Sequence, residues 1–524
     1  MKMLQVEALE LWGGEFSENY RENINYSGIF IPTDRLWKKQ YDEIKSSYGS
    51  NSAKLTILNE IFLYHILDRF LATVEYRADR VHNKVNGFRA VKISRNLEVE
   101  LVNELANVWL IKPKLPTLKS LRISLLTKKM ELSNQLHNKD QIANCRKIDN
   151  LIQFLELSTN IVNTYFNEVG EKWCFLFDEL ELAPECIIQP LINAMRGGPA
   201  DIIFKLSLSP YHGDIDFIHN IVSPMEKQDY ELISLTNTKD RDGLLFSRKL
   251  FSQIFKKRSL HNEVSGYFEE PKKKDKKLIF SELSKKDPTF SEYLSSNSIY
   301  VENIDAYTEK DKLTIIRKIQ FIAELRNYYL GKNGQRRSMK RAPDYYAGFA
   351  KLCKAMEYNP RMLIGMANAL AAKVHNNKIS ISDQIAVLSE SLRTYNALLN
   401  TIPTNNKNFI TLASLVEKIA SFASDFIKGK RFYSEPYCSF RFDFEPDNET
   451  RKAIGYALNS GAFIVENSDR DIEYTGPLKG TRCRLSYIFS HSYGLPLTST
   501  RPTNFSKILG YKHNKSENGQ FELL

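Results

Sequence analysis

The chain has 524 residues, of which 42% are hydrophobic and 26% are charged. Enough apolar residues are present to bury a core, so the composition excludes disorder over the whole chain, and at roughly 150 residues per domain the length predicts about three domains. The 73 lysine and arginine residues exceed the 62 acidic residues and give a net charge of +11, which weakly favours an anionic partner such as nucleic acid.

The sequence also predicts where the protein works. It contains no run of about 18 apolar residues, so we expect no membrane span, and its first residues lack the pattern of a secretory signal. The six cysteines are widely spaced and form no zinc-binding pattern, which is typical of buried thiols in a reducing compartment. We therefore expect a cytoplasmic protein without a membrane partner.

The first half of the chain alternates between two kinds of pattern. Mixed 3–4 spacing of apolar residues predicts helices at 1–12, 54–80, 120–168, 184–196 and 242–256. Short apolar runs bounded by polar residues or proline predict buried strands at 28–34, 172–178, 201–208 and 230–235. Because strands alternate with helices, the expected fold class is α/β with a mainly parallel sheet.

The second half of the chain is mostly helical by its pattern. Residues 257–312 are the most polar part and include a lysine-rich run that is typical of a solvated loop. Helices are predicted from 308 to 430. The segment 431–524 combines a predicted helix at 448–460 with short strands at 462–466 and 482–489.

The strongest chemical signal is the sequence Phe175-Leu176-Phe177-Asp178-Glu179. It predicts a buried strand with two carboxylates at its carboxyl end, and that edge of an open α/β sheet is where ligands bind. In P-loop ATPases the same pattern is the Walker B motif, in which the Asp holds Mg²⁺ and the following Glu orients the attacking water. The other interpretation is an acidic turn, because many strands end in one.

Two further positions fit a nucleotide site. Ser207 and Ser209 end the predicted strand at 201–208, where sensor 1 residues approach the γ-phosphate. Asn359-Pro360-Arg361 resembles the start of a lid helix whose arginine faces the nucleotide as sensor 2, since proline suits the first helical turn and a guanidinium binds phosphate. Ordinary turn serines and a solvated arginine remain the alternatives.

The order of these features resembles the bacterial ORC/CDC6-type AAA+ ATPases, over about residues 1–500. The resemblance implies a P-loop NTPase-like α/β core at 1–256 with a helical insertion at about 120–168. It further implies a linker and helical lid at 257–380, and a C-terminal helical and winged-helix-like domain at 381–524.

The winged-helix-like domain would contain the helix beginning at Asn448 and two wing strands near 462–466 and 482–489. Winged helices bind DNA or proteins, and Lys479, Arg482 and Arg484 are the candidate phosphate contacts. The same charges would equally protect an exposed sheet edge from aggregation.

One family motif is missing from the 524 residues. The phosphate-binding loop GxxxxGK[ST] does not occur, and the only Gly-Lys pairs, Gly331-Lys332 and Gly429-Lys430, are not followed by Ser or Thr. Residues 2–12 match the helix that follows this loop in the family, so the sheet would also lack its first strand. Either the true start lies upstream, which we favour, or the protein is a degenerate ATPase.

These observations support two hypotheses. The first is an AAA+-type ATPase that uses ATP and Mg²⁺ and couples nucleotide state to a DNA or protein partner, with Asp178 at the metal, Glu179 as the catalytic residue, and Ser207, Ser209 and Arg361 sensing nucleotide. The second is a non-enzymatic DNA-binding or protein-interaction scaffold. The resemblance also suggests a homo-oligomer and a role in antiphage defence.

Overall fold

The computed structural model describes residues 1–33, 36–48, 53–78, 88–137, 151–168, 170–183, 185–209, 227–231, 233, 240–272, 275–332, 334–337, 342–406, 409–466 and 478–510. The chain divides into two compact units, Met1–Ile233 and Ser234–Leu524. None of the described helices is both long enough and apolar enough to cross a bilayer.

The first unit is built on a parallel sheet of three strands in the order β1-β2-β3. The strands are β1 (Tyr26–Pro32), β2 (Lys172–Asp178) and β3 (Ile202–Leu206). Strand β2 is central, with Pro32 opposite Asp178 on one side and Leu206 opposite Phe177 on the other. The register therefore aligns the carboxyl ends of all three strands.

Helices cover one face of this sheet. The unit contains the helices α1 (Val6–Leu11), α2 (Ser17–Asn23), α3 (Leu36–Tyr48), α4 (Ala53–Ala78), α5 (Arg95–Trp109), α6 (Leu118–His137), α7 (Leu151–Phe166) and α8 (Glu185–Asn193). The covering layer consists of α3 to α8, which share one apolar core with the sheet. The long apolar helix α4 packs against β1 and α6. Phe70 of α4 meets the rings of Trp173 and Phe175 on β2, so aromatic packing fixes the strand beneath the helix.

The other face of the sheet is covered closely by the start of the chain. Leu4 lies in a short 3₁₀ turn, Lys2–Leu4, and packs with Tyr26, Cys174 and Leu176. A Cβ atom on Gly28 would lie 2.1 Å from the Leu4 carbonyl oxygen. Only glycine allows the backbones to approach this closely at that position.

The second unit is mainly helical. Its helices are α9 (Asp240–Lys256), α10 (Lys276–Lys286), α11 (Pro288–Ser296), α12 (Lys310–Tyr329), α13 (Phe349–Ala355), α14 (Pro360–Ala371), α15 (Ile381–Asn400), α16 (Leu412–Lys428), α17 (Asn448–Asn459), α18 (Ser490–Tyr493) and α19 (Phe505–Leu509). The buried pair of Arg326 and Asp287 joins α12 to the cap of α11, and Arg326 also donates to the Ile427 and Gly429 carbonyls at the end of α16.

Two small sheets complete this unit. A hairpin of β4 (Pro403–Asn406) and β5 (Phe409–Thr411) lies between α15 and α16. A four-stranded sheet follows in the order β7-β8-β6-β9. Its strands are β6 (Ser439–Arg441), β7 (Phe463–Val465), β8 (Arg482–Leu485) and β9 (Pro502–Asn504).

The structure confirms the α/β class and the parallel sheet. The predicted strand at 230–235 lies partly outside the described residues, and the helix predicted at 1–12 is interrupted at Gln5. The helical pattern predicted for 308–430 was wrong at the β4–β5 hairpin, because Pro403 cannot continue a helix and the buried Asn406 amide instead donates to the Thr450 hydroxyl. The three-domain division and the winged-helix assignment stay predictions.

Candidate functional site

The parallel register brings three polar strand ends to one edge of the sheet. The Thr33 amide donates to the Asp178 carbonyl (3.2 Å), and the Ser207 amide donates to the Phe177 carbonyl (2.9 Å). The ladder thus continues one residue past β1 and β3, and adjacent strands lie about 4.8 Å apart. Pro32, Asp178 and Ser207 therefore form one row across the sheet, and Thr33 follows one residue later beside Glu179.

Glu179 leaves this row in an unusual backbone conformation. Its φ and ψ of 55° and 40° are left-handed, and it precedes a single 3₁₀ turn, Leu180–Leu182. For a residue with a side chain this conformation costs about 1 kcal/mol. The turn is held because Leu180 is fully buried and its amide donates to the Ser207 carbonyl (3.2 Å). Local strain of this kind is often stored at functional sites.

A third carboxylate lies near the pair. Burial raises the pKa of Glu181, and the charges of Glu179 and Asp178 act in the same direction, against the hydrogen bond that its Oε2 accepts from the Ser209 amide (3.3 Å). The three carboxyl groups therefore give this edge a negative electrostatic potential. Such a site favours a cation.

Two hydroxyl groups at this edge are buried without a hydrogen-bond partner among the described residues. They are Thr33 Oγ1 and Ser209 Oγ, and Thr33 as a whole is only 7% exposed. A buried hydroxyl without a partner costs about 1–3 kcal/mol, so such groups usually have a ligand or water to satisfy them. Sequence reasoning missed Thr33, although it follows an apolar strand just as Ser207 does.

The end of β1 is fixed by a buried histidine. His65 of α4 lies with Nε2 3.0 Å from the Pro32 carbonyl oxygen and Nδ1 3.2 Å from Lys129 Nζ. Because an ammonium can only donate, Nδ1 accepts and Nε2–H donates to the carbonyl. Burial, and then the charge of Lys129, lower the pKa of His65 to about 4. The neutral ring therefore positions the strand end next to Thr33.

The chemistry of this edge fits Mg²⁺ better than a metal held by protein alone. The described residues contain no group of three His, Cys, Asp or Glu side chains with metal-binding geometry. Mg²⁺ usually needs only one or two carboxylates, with phosphate oxygens and water as its other ligands. Asp178 offers one such carboxylate, and the Thr33 hydroxyl, which has no partner among the described residues, can form a hydrogen bond with a water.

Arg361 belongs to the second unit. It lies in the first turn of α14, where its amide donates to the side chain of the cap residue Asn359 (3.0 Å), and its side chain is exposed. The two residues before this cap, Glu357 and Tyr358, are both left-handed. The Asn-Pro-Arg sequence thus begins a helix, as predicted.

The three C-terminal basic residues have different surroundings. Arg484 makes two hydrogen bonds to Glu357 (2.6 and 2.8 Å) and lies 3.7 Å over the Tyr487 ring. Burial alone would lower the pKa of Arg484, but Glu357 and then Glu466 raise it. Arg482 also pairs with Glu466 (2.9 Å), whereas Lys479 is exposed.

Comparison with known protein families decides the relationship. The ORC-CDC6-like family model matches residues 1–505. The chain belongs to the ORC-CDC6-like family. No curated protein and no solved structure matched in the corresponding searches. The family match confirms the predicted relationship to ORC/CDC6-type AAA+ ATPases.

Because the chain belongs to the ORC-CDC6-like family, the carboxyl edge of the sheet can be considered as a nucleotide site. AAA+ ATPases as a group use nucleotide and Mg²⁺. The polar residues that follow β1, β2 and β3 lie at the edge where open α/β sheets bind ligands. The roles of individual residues at this edge stay predictions.

We predict that Thr33→Val leaves the free energy of unfolding unchanged or raises it by about 1 kcal/mol, because it removes a hydroxyl without a partner. All four tryptophans lie in the first unit, so their fluorescence during urea unfolding reports this unit. The control is Ser27→Ala, which removes a hydroxyl that donates to Glu171 (3.0 Å) and should lower stability by about 1.5 kcal/mol. Equal losses of unfolding free energy in both variants would show that the Thr33 hydroxyl does form a hydrogen bond in the folded protein.

We predict that His65 makes the first unit less stable in acid. Its folded pKa of about 4 lies below the ordinary 6.5, so the unfolded chain binds the proton first and stability falls as the pH drops from 6.5 towards 4. Between pH 7.5 and 4.5 the loss is about 2.5 kcal/mol. In His65→Gln the fluorescence-detected loss should be smaller by that amount, whereas His261→Gln, at an exposed histidine, should behave like the wild type.

We predict that Arg484→Met lowers the free energy of unfolding by about 3 kcal/mol, because Glu357 would lose its charged partner in a largely buried position. Lys479→Met, at an exposed residue, should change it by less than about 0.5 kcal/mol. Urea unfolding followed by circular dichroism measures both. If Arg484→Met were as stable as the wild type, its guanidinium would be available for other partners.

Proposed function

We propose that this protein is an AAA+-type nucleotide-dependent switch whose nucleotide site includes the carboxyl edge of β1, β2 and β3. The observation that carries this proposal is the alignment of Asp178 and Ser207 in one row at the carboxyl edge, with Thr33 and the left-handed Glu179 directly after it. The family match over residues 1–505 supports an ATPase core, which here would act on a DNA or protein partner.

Each residue at the edge has a distinct role in this proposal. Asp178 would hold Mg²⁺, and Glu179 would accept a hydrogen bond from the attacking water and so position it. Ser207 and Ser209 detect the γ-phosphate from the end of β3, and Arg361 of the second unit reports it to the helical lid. Bound Mg²⁺ would neutralise phosphate charge as the bond breaks.

We add Thr33 to this set. Its hydroxyl is buried at the same edge of the sheet, one residue past the row of Asp178, and none of the described residues satisfies it. A water or phosphate oxygen at the edge would supply the missing hydrogen bond. The neutral His65 acts indirectly, because it holds the Pro32 carbonyl and therefore the position of Thr33.

The absence of GxxxxGK[ST] from these residues bears directly on hydrolysis. That loop supplies the backbone amides and the lysine that hold the β- and γ-phosphates, and its Ser or Thr helps to hold Mg²⁺. The same absence favours a second candidate function, a scaffold in which the core binds a partner without turnover. We propose that the 524 residues alone hydrolyse ATP negligibly.

We predict that residues 1–524 show no magnesium-dependent release of phosphate from ATP above the background of a Glu179→Gln variant. Measurable turnover that disappears in Glu179→Gln would contradict this and would show that the core functions without the loop. In a chain extended by upstream in-frame residues that carry GxxxxGK[ST], Glu179→Gln should reduce turnover at least 100-fold while nucleotide binding is retained.

The matched control for that variant is Glu181→Gln. It removes a carboxylate two residues away, while the amide oxygen can still accept the hydrogen bond from Ser209. Turnover in the extended chain should stay within a few-fold of the wild type. If Glu181→Gln abolished turnover and Glu179→Gln did not, the catalytic role would belong to Glu181.

A stop codon directly upstream of Met1 would instead favour the second candidate function, the scaffold.

A further inference from the structure

Helix α6 is attached to α4 by one of its faces. Four leucines of that face are buried and lie within about 60° of one another around the helix axis. They are Leu118, Leu121, Leu125 and Leu132. Beside them, Arg122 donates to Asp68 (2.8 Å) and Lys129 donates to His65 (3.2 Å), and both acceptors belong to α4. The orientation of α6 about its own axis is therefore fixed.

A second set of apolar residues lies on the outer side of α6. Ile123 is 66% exposed, Leu126 is 43% exposed and Met130 is 61% exposed. These three residues, which we call the outer apolar row, fall within about 60° of one another, and their centre is about 140° from that of the buried leucines. Because residues three and four positions apart on a helix are neighbours, the row forms one continuous surface.

The outer apolar row differs from the scattered apolar residues of an ordinary surface. Single exposed leucines are common and need no explanation, whereas contiguous exposed apolar residues mark interaction sites. The row is also not part of the apolar core that the sheet shares with its helices, because the opposite face of α6 supplies the core residues. The row therefore has no role in the packing of the described residues of this unit.

The outer side of α6 is complementary to a second copy of itself. In an antiparallel pair of α6 helices centred between residues 126 and 127, Ile123 lies opposite Met130 of the second copy. Lys119 lies opposite the second copy's Asn134, one helical turn from its Glu131, and all three of these residues are exposed. Because each contact occurs twice in a two-fold pair, apolar groups meet apolar groups at the centre and opposite charges meet at both ends.

A parallel pair of α6 helices fits less well. It would place Lys119 opposite the second copy's Lys119, and like charges repel. A membrane surface also fits less well than a second helix. An interfacial helix inserts its main apolar face into lipid, whereas the four leucines of α6 are buried in protein and only the narrow outer row remains.

We propose that the outer apolar row is a dimer interface, in which two copies of this chain pair their α6 helices in antiparallel orientation. The same surface is used by both copies, so the contact closes with two chains and does not extend into a ring or a filament. The centre of the interface is small compared with that of stable dimers, so we expect a dissociation constant on the order of 10 µM.

This inference does not rest on the proposed function. The interface needs neither nucleotide nor Mg²⁺, and it uses none of the residues that we assign to the carboxyl edge of the sheet. Association measured without nucleotide therefore tests the dimer alone, and the ATPase measurements test the nucleotide site alone.

Sedimentation equilibrium of the full chain, from about 2 to about 200 µM and without nucleotide, measures the association. We expect the wild type to form dimers as its concentration rises. Ile123→Glu and Met130→Lys should each weaken association at least about tenfold, because each places a charge against an apolar side chain. The matched control, Leu313→Glu with Leu398→Glu, changes two exposed leucines of the second unit and should dimerise like the wild type.

An equimolar mixture of Ile123→Glu and Met130→Lys tests the antiparallel register. In the mixed pair the introduced carboxylate faces the introduced ammonium, and the unchanged Ile123 of one copy faces the unchanged Met130 of the other. The mixture should therefore associate at least about tenfold more tightly than either variant alone. A parallel pair would place each introduced charge opposite an apolar residue, and mixing would then give no gain.

Several results would overturn the proposal. They are a wild type that stays monomeric at about 200 µM, equal losses of association in the row variants and the control, and a mixture that associates no better than its components. A monomeric wild type that binds phosphatidylserine vesicles, and loses this binding in Ile123→Glu, would assign the row to a membrane. Circular dichroism verifies folding. Should Ile123→Glu unfold, Ile123→Ser should still weaken the dimer, and unchanged association would reject the interface.

Discussion

The constraint on which the first unit depends is the parallel register around β2. Hydrogen bonds between β1, β2 and β3 align Pro32 with Asp178 and Phe177 with Leu206, and the next residues along the chain are therefore adjacent. Nothing else in the unit needs to bring the polar residues together. Aromatic packing of α4 on β2, and the close approach of Leu4 to Gly28, cover the two faces of the sheet.

This edge combines features that a purely structural strand end would avoid. Glu179 adopts a left-handed backbone, burial raises the pKa of Glu181, and the Thr33 hydroxyl is buried without a partner in the described residues. The left-handed backbone and the hydroxyl without a partner each cost folding free energy. Stability lost at a site in this way is typical of a protein that is built to bind a ligand there.

Charge pairing separates two groups of basic residues in the second unit. Arg484 bonds to Glu357, directly before the Asn-Pro-Arg helix start, and so joins the C-terminal sheet to α14. Its charge is used within the fold. The basic residues of α9 have no such partner among the described residues, although basic residues are less concentrated there than in the lysine-rich run at 272–277. A basic side chain is available to a binding partner only when no acidic residue of the same fold already pairs with it, and the composition of the chain does not show this.

The sequence by itself determined the local features of this protein. Apolar runs ending in Asp178-Glu179 and Ser207 predicted strands with polar ends, and Asn359-Pro360-Arg361 predicted a helix start, because burial, turn chemistry and capping act over a few residues. Only the tertiary structure decided which of these ends are neighbours, that Thr33 and His65 belong to the edge, and that Arg484 is paired with a residue 127 positions away. Such contacts depend on register and packing between distant segments, and a single sequence contains no direct measure of either.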